Sequence, residues 1–176
     1  MIVIFSGSMN PVLICTYAAF EGLALGGLTW FFEVPMELPG IGILAALLTF
    51  MILGAMIAIY RAGLIKWDRN LAIAVYSSLF AIVLIYLFSF VGSITGWFHV
   101  PYIHGAGPVG IAFSLFVIGI GALCLVADFD FIERGVQMGA PKQLEWRAAF
   151  GLMVTLVWLY LEILKLLAKI AIYSRR

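Results

Sequence analysis

Charged residues are scarce in this chain. Only 11% of its 176 residues are Asp, Glu, Lys or Arg, whereas 65% are hydrophobic. A soluble chain of this length needs a mostly polar surface, and a mean hydropathy of +1.15 leaves too few polar residues to build one. The composition therefore excludes a soluble globular domain and indicates an integral membrane protein. The formal net charge of +1, without a long basic run, argues against nucleic acid as a partner.

The sequence also lacks the motifs on which most enzymes depend. It has no Gly-rich phosphate loop, no zinc-type His/Glu helix and no nucleophile with a neighbouring base, so we expect neither catalytic residues nor a bound cofactor. Cys15 and Cys124 lie in apolar runs without metal-type spacing, which favours packing roles over a disulfide. For His99 and His104, which flank a short turn, two solvated histidines are favoured over a metal site.

Five apolar runs have the length of about 20 residues that a membrane helix requires, and charged, Gly or Pro residues separate them. The predicted spans are Pro11–Phe32, Ile41–Tyr60, Leu71–Val91, Val109–Ala127 and Ala148–Ile172. Because backbone groups in lipid must be hydrogen-bonded within each helix, we predict an all-α, polytopic helical bundle with five transmembrane helices. Residues 1–176 form one transmembrane bundle domain in this interpretation.

Basic residues in the loops predict the orientation. The second and third spans are joined by a loop with Arg61, Lys66 and Arg69, and the fourth and fifth by one with Arg134, Lys142 and Arg147. Both loops are predicted to be cytoplasmic, which places the C-terminus outside. A basic tail argues the reverse; its residues are Lys165, Lys169, Arg175 and Arg176. Either the last helix is re-entrant or the loops outweigh the tail, and we favour the loops because two of them agree.

Acidic residues close to hydrocarbon are the candidate functional residues, because a carboxylate there needs water, a cation or a partner. In the fourth span a face of small residues ends in Asp128; its members are Gly110, Ser114, Gly121, Cys124 and Asp128. Asp130 points about 200° away and is predicted to meet Glu133 and Arg134 one turn on. Asp128 is therefore the better buried candidate.

Two further acidic residues lie inside predicted spans. Glu162 shares a polar face of the fifth span with Thr155 and Lys165. A salt bridge to Lys165, a snorkelling position in the outer leaflet or a place in a polar path would explain it. Glu21 lies beside a stripe of small residues, Cys15, Ala19, Gly22 and Gly26. A mid-membrane Glu without a cation within one turn favours a functional role, or pairing with another helix, over a position facing lipid.

Several segments closely resemble the bacterial branch of the Bax inhibitor / YccA family. They are Asp128–Gly135 with the following Gly139–Lys142 and Ala148–Lys165, together with Phe20–Leu23, Tyr60–Ile65 and His104–Phe116. The resemblance implies a seven-helix fold in which the last helix is surrounded by the others. Members carry about two further helices before the segment that begins here near Pro11, so we expect an N-terminally shortened chain that corresponds to the last five helices.

The resemblance also implies a function and a site. Several relatives are pH-sensitive calcium leaks of the inner membrane, gated by an aspartate that ends the penultimate helix and another within the last helix. Asp128 resembles the first, whereas Thr155 occupies the second position, so that Glu162, two turns further along the same face, is a candidate substitute. Asp130 and Glu21 complete the candidate ion-path residues. Other relatives modulate a membrane protease.

We therefore expect a pH-sensitive cation leak channel or transporter in the cell (inner) membrane, with Asp128 as the gating or calcium-contacting residue. Calcium is expected as the transported ion. The alternative is a non-conducting regulatory protein that binds other membrane proteins, such as a protease. Expected partners are the lipid bilayer, calcium, and membrane proteins or a second copy of the chain.

Overall fold

The computed structural model describes residues 11–95 and 105–175, so that His99, His104 and Arg176 lie outside the described residues. Five helices form the described part: α1 (Pro11–Glu33), α2 (Ile41–Arg61), α3 (Arg69–Thr95), α4 (Pro108–Gln137) and α5 (Gln143–Ser174). All five are long and apolar enough to cross a membrane. The prediction of an all-α, polytopic membrane protein is confirmed.

The last two helices are longer than the apolar runs that predicted them. α4 has 30 residues and α5 has 32, which corresponds to about 45 and 48 Å against a hydrocarbon core of about 30 Å. α4 continues past Ala127 because its charges pair along the helix, with Arg134 Nε 2.8 Å from Asp130 Oδ2. It ends at Gln137, and the chain turns away at Gly139, whose φ of +60° suits glycine, with Ala140 N donating to Gly135 O.

The central helix of the bundle is α5, which packs against α4, α2 and α1. Leu125 of α4 and Leu159 and Leu164 of α5 are completely buried in the main core. α3 is peripheral and packs mainly on α4, where Val75 and Ile82 meet Val117 and Ile120. The functional side chains below are therefore arranged around α4 and α5, with α3 supplying one of them.

Polar contacts fix the end of the bundle where α1 meets α2. Oε1 of Glu33, the last residue of α1, accepts a hydrogen bond of 3.1 Å from the backbone N–H of Gly42 in the first turn of α2. A carboxylate at a helix N-terminus is electrostatically favourable. Nearby, the hydroxyls of Thr29 and Tyr160 are 2.6 Å apart and connect α1 to α5. A side chain at position 42 would collide with Thr29, so glycine permits this close approach.

The last helix crosses the whole bundle. It begins beside the end of α4, and at its other end Arg175 Nη2 donates a hydrogen bond of 2.7 Å to the carbonyl of Glu37, between α1 and α2. The end of α5 therefore lies opposite the two basic loops. α5 is one continuous helix from Gln143 to Ser174, as expected of a spanning helix and not of a re-entrant one, and Arg175 lies at its far end.

Candidate functional site

Polar residues gather at two levels of the α4–α5 interface. We call the first group, Cys124, Asp128, Gly151 and Thr155, the Asp128 cluster. The second group, Tyr86, Ser114, Glu162, Lys165 and Lys169, is the Glu162 cluster. Seven residues of α5 separate Thr155 from Glu162, a rise of about 10 Å.

In the Asp128 cluster one carboxylate oxygen is left without a partner. Oδ2 of Asp128 is buried and makes no hydrogen bond within the part of the chain that the structure describes. The Thr155 side chain lies beside the carboxylate, and a Cβ added at Gly151 would be 3.6 Å from Oδ1. The hydroxyl of Thr155 also donates a hydrogen bond of 3.2 Å to the carbonyl of Gly151. The structure thus brings together Asp128 and Thr155, from opposite sides of the helix interface.

Asp130 lies in a different setting, although it is only two residues further along α4. Its predicted pairing with Arg134 is confirmed. Glu133 instead turns to α2, where Oε2 accepts a hydrogen bond of 2.5 Å from the hydroxyl of Tyr60. These groups and Lys66 line a polar recess of about 380 Å³ at the end of the bundle. Asp130 is therefore an ion-paired residue of the helix end and does not belong to the Asp128 cluster.

Glu162 is fully bonded. Its side chain is only 3% exposed, and Oε1 lies 2.7 Å from Nζ of Lys165 on the next turn. The hydroxyl of Tyr86 on α3 donates to both carboxylate oxygens, at 3.0 and 3.2 Å. Lys165 Nζ also lies 5.0 Å from the centre of the Tyr86 ring, a cation–π distance. Of the interpretations of Glu162 given above, the structure shows the salt bridge to Lys165.

Lys169 completes the Glu162 cluster by reaching the start of α4. Its Nζ donates a hydrogen bond of 2.9 Å to the hydroxyl of Ser114 and one of 3.1 Å to the carbonyl of Gly110. Both acceptors belong to the predicted small-residue face, and Ser114 is only 3% exposed. Small residues on α4 thus leave room for the long side chains of α5.

An apolar layer separates the two clusters. Leu125 and Leu159 have no exposed surface. Gly121 lies so close to α5 that a Cβ there would be 2.8 Å from Cδ2 of Leu159. Asp128 and Glu162 therefore share an interface without a continuous polar passage between them in this conformation.

Glu21, the remaining candidate, belongs to α1. It interacts with Tyr17 one turn earlier, whose ring packs edge-on against Phe150 of α5 at 5.3 Å between centroids. The neighbouring small residues are exposed on the outside of the bundle; they are Cys15, Ala19, Gly22 and Gly26. Glu21 is thus partly covered by the α1–α5 contact, apart from both clusters.

Sequence reasoning missed the tyrosines that hold carboxylates from a neighbouring helix. Tyr86 binds Glu162 and Tyr60 binds Glu133, yet neither helix has a periodic polar face that would single them out. The available signal was chemical, because a buried tyrosine hydroxyl inside a membrane span needs a hydrogen-bond partner. A search for such partners on other spans would have drawn attention to both.

A family model described as Bax inhibitor 1 like matches residues 1–172. The chain belongs to the Bax inhibitor 1 like family. With five apolar helices, this member of the family is a multi-pass membrane protein. Neither a curated protein nor a solved structure matches the chain. Within residues 11–95 and 105–175, this Bax inhibitor 1 like chain has no group of three or more His, Cys, Asp and Glu residues arranged to hold a metal ion.

Proposed function

We propose that this chain is a slow cation leak of the cell (inner) membrane, with calcium as the transported ion and Asp128 as the gating carboxylate. The observation that carries the proposal is the buried Oδ2 of Asp128, which has no hydrogen-bond partner among the described residues. An unpartnered carboxylate oxygen in a membrane bundle is costly and marks a place for a cation, a proton or water. Calcium, a hard cation, prefers oxygen ligands.

The ion would move along the α4–α5 interface, and the conformation described above would be the closed state of that path. In this proposal, the close packing of Leu159 on Gly121 closes the interface between the Asp128 cluster and the Glu162 cluster. Separation of the two helices at this layer would open the interface beside Asp128 to water and to the ion. Because Glu162 is already bound by Lys165 and Tyr86, Asp128 supplies the more available carboxylate.

The pH dependence of the leak would rest mainly on Asp128. Thr155, which lies beside it, does not titrate, so a coupled pair of aspartates is absent from this cluster. We expect a response with a single apparent titration and little of the steepness that two coupled carboxylates would give. Substitution of Asp128 by Asn should remove this pH dependence of the flux.

The test is calcium flux into liposomes that contain the purified chain, measured over a pH series. Asp130→Asn is the matched control, because it removes a carboxylate two residues away on the same helix. We expect Asp128→Asn to change the flux about tenfold, the effect of roughly 1.4 kcal/mol at the barrier, and Asp130→Asn to change it much less. Equal effects of the two substitutions would remove Asp128 from its proposed role.

A non-conducting regulatory protein is the second candidate. It is favoured by the wide apolar surface of α3, where Phe80, Phe90 and Ile94 are each more than 60% exposed and would be accessible to another membrane protein. Wild-type flux equal to that of empty liposomes would support this candidate against the leak. Co-purification with a membrane protease, lost when these three residues are replaced by alanine, would then identify the contact surface.

The orientation in the membrane is part of the proposal. We infer that the connections at residues 62–68 and 138–142 are cytoplasmic, because of the basic residues at their borders. Single cysteines at Lys66 and Lys142, in a background without Cys15 and Cys124, should resist labelling from outside intact cells. Labelling of both cysteines from outside would show that these two connections are extracellular.

A further inference from the structure

A cavity of about 220 Å³ opens beside the Glu162 cluster, towards the end of the bundle where α5 terminates. Its polar lining comes from Tyr86, Ser114, Glu162, Lys165 and Lys169. Its apolar walls come from the end of α1 and the last turns of α5, and include Phe32, Met36 and Ile172. The cavity thus has one polar wall and one wall that suits hydrocarbon.

Charge makes this cavity unsuitable for a cation. Two ammonium groups and one carboxylate line it, which leaves a formal charge of +1. The carboxylate of Glu162 is already satisfied by Lys165 and Tyr86. Lys165, by contrast, keeps 40% of its side chain exposed. Of the three donors of its ammonium group, one goes to Glu162 Oε1 at 2.7 Å and a second, at 3.5 Å, to the Tyr86 hydroxyl. A group that accepts hydrogen bonds and carries negative charge therefore complements the lining.

We propose that this cavity binds a phosphate group, either that of an anionic lipid headgroup or free phosphate. The lysines of α5 would donate to its oxygens while Glu162 and Tyr86 hold Lys165 in place. Lysine is well suited to this, because charge-assisted hydrogen bonds to phosphate are short and strong. The proposal stands apart from ion conduction, because it needs only the closed conformation described above.

The depth of the cavity suits the headgroup region of a membrane. Lys169 precedes the end of α5 at Ser174 by five residues, a rise of about 7 Å. The phosphate of a lipid at this depth could reach the lysines while its acyl chains lie along Phe32 and Ile172. A free phosphate ion would use the polar wall alone.

The experiment measures binding of two probes to the purified full-length chain in detergent: short-chain phosphatidylglycerol and inorganic phosphate. Retained lipid is counted by native mass spectrometry, and affinity is obtained by titration. Lys169→Gln should weaken binding about tenfold, the usual effect of losing one charge-assisted hydrogen bond, and Lys169→Arg should retain it. Ile172→Trp should weaken lipid binding without changing the charge of the cavity, because the larger side chain fills the space beside the apolar wall where the acyl chains would lie.

Lys142→Gln is the matched control, since it removes an exposed lysine from the opposite end of the bundle. Binding of the lipid alone assigns the site to a headgroup, whereas binding of both probes, or of inorganic phosphate alone, assigns it to phosphate itself. The proposal is overturned if neither probe binds, or if Lys142→Gln weakens binding as much as Lys169→Gln.

Discussion

The two clusters on the α4–α5 interface contain the same chemical group in opposite states. Glu162 is buried and has a lysine at 2.7 Å and a tyrosine hydroxyl on both of its oxygens. Asp128 is partly buried and leaves one oxygen unbonded among the described residues. The difference follows from where the nearest cation lies on each helix. Lys165 is one turn from Glu162, whereas the nearest cation beyond Asp128 on α4, Arg134, is taken by Asp130.

The comparison teaches that a buried carboxylate in a membrane bundle is structural or functional according to its neighbours. A satisfied ion pair fixes the local structure, and breaking it leaves an uncompensated charge. An unsatisfied carboxylate stabilises little and remains available to an ion or a proton. Substitutions in the Glu162 cluster should therefore mainly lower stability, whereas substitutions in the Asp128 cluster should mainly change flux.

Lys165→Met should have the largest effect on stability. It leaves Glu162 buried without its cation, and loss of one partner of a buried pair costs about 3–5 kcal/mol, with the lower end expected here because Lys165 is 40% exposed. Unfolding in detergent, followed by circular dichroism, measures the loss. Adding Glu162→Gln should restore most of the stability. A double variant as unstable as the single one would show that the loss does not come from the uncompensated charge of Glu162.

Gly121→Ala tests the apolar layer between the clusters. The new Cβ would be 2.8 Å from Cδ2 of Leu159, so overpacking should cost about 1–3 kcal/mol. Gly119→Ala is the control, because a Cβ there meets nothing within 4 Å. Comparable unfolding temperatures for the two variants would mean that the helices do not approach closely at Gly121.

Asp128→Asn should change the free energy of unfolding by less than about 1 kcal/mol, because the substitution breaks no ion pair and leaves the volume nearly unchanged. Its effect should appear in calcium flux instead. A large loss of stability, measured in the same detergent as Lys165→Met, would place Asp128 among the structural residues and end the contrast with Glu162.

Gly151→Ala should have the smallest effect on stability. Its Cβ would make an ordinary contact of 3.6 Å with Oδ1 of Asp128, without a clash, so we expect a change within about 0.5 kcal/mol. The added methyl group covers the carboxylate, and a reduced calcium flux is the expected functional consequence. Unaltered flux together with unaltered stability would indicate that ions approach Asp128 from another side.

The sequence was sufficient for the helices and for their order along the chain. All five apolar runs became helices, because backbone hydrogen bonding in lipid leaves little choice. Helical phase also separated Asp128 from Asp130, since the periodicity of one helix determines its faces. The predicted span stopped short of Gln137 because the last ten residues of α4 lie past the apolar run, where the Asp130–Arg134 pair lies on the helix.

Contacts between helices were much harder to predict. Nothing in α3 alone indicates that Tyr86 meets Glu162, because such a pairing depends on how two distant spans are rotated against each other. The same holds for Lys169, whose partner Ser114 lies 55 residues away. The proximity of Asp128 and Thr155 agrees with the two positions that the family resemblance implied for them, although spacing within either helix could not establish it.

The positions of charge on α5 also set the membrane thickness that this bundle fits. Arg147 and Lys169 are 22 residues apart, about 33 Å along the helix, which is close to the thickness of an average hydrocarbon core. A thicker bilayer would make α5 tilt or would draw Lys169 away from Ser114, and a thinner one would expose the apolar turns. We therefore expect the acyl-chain length of the surrounding lipid to change the contacts of Lys169, the same lysine that lines the cavity.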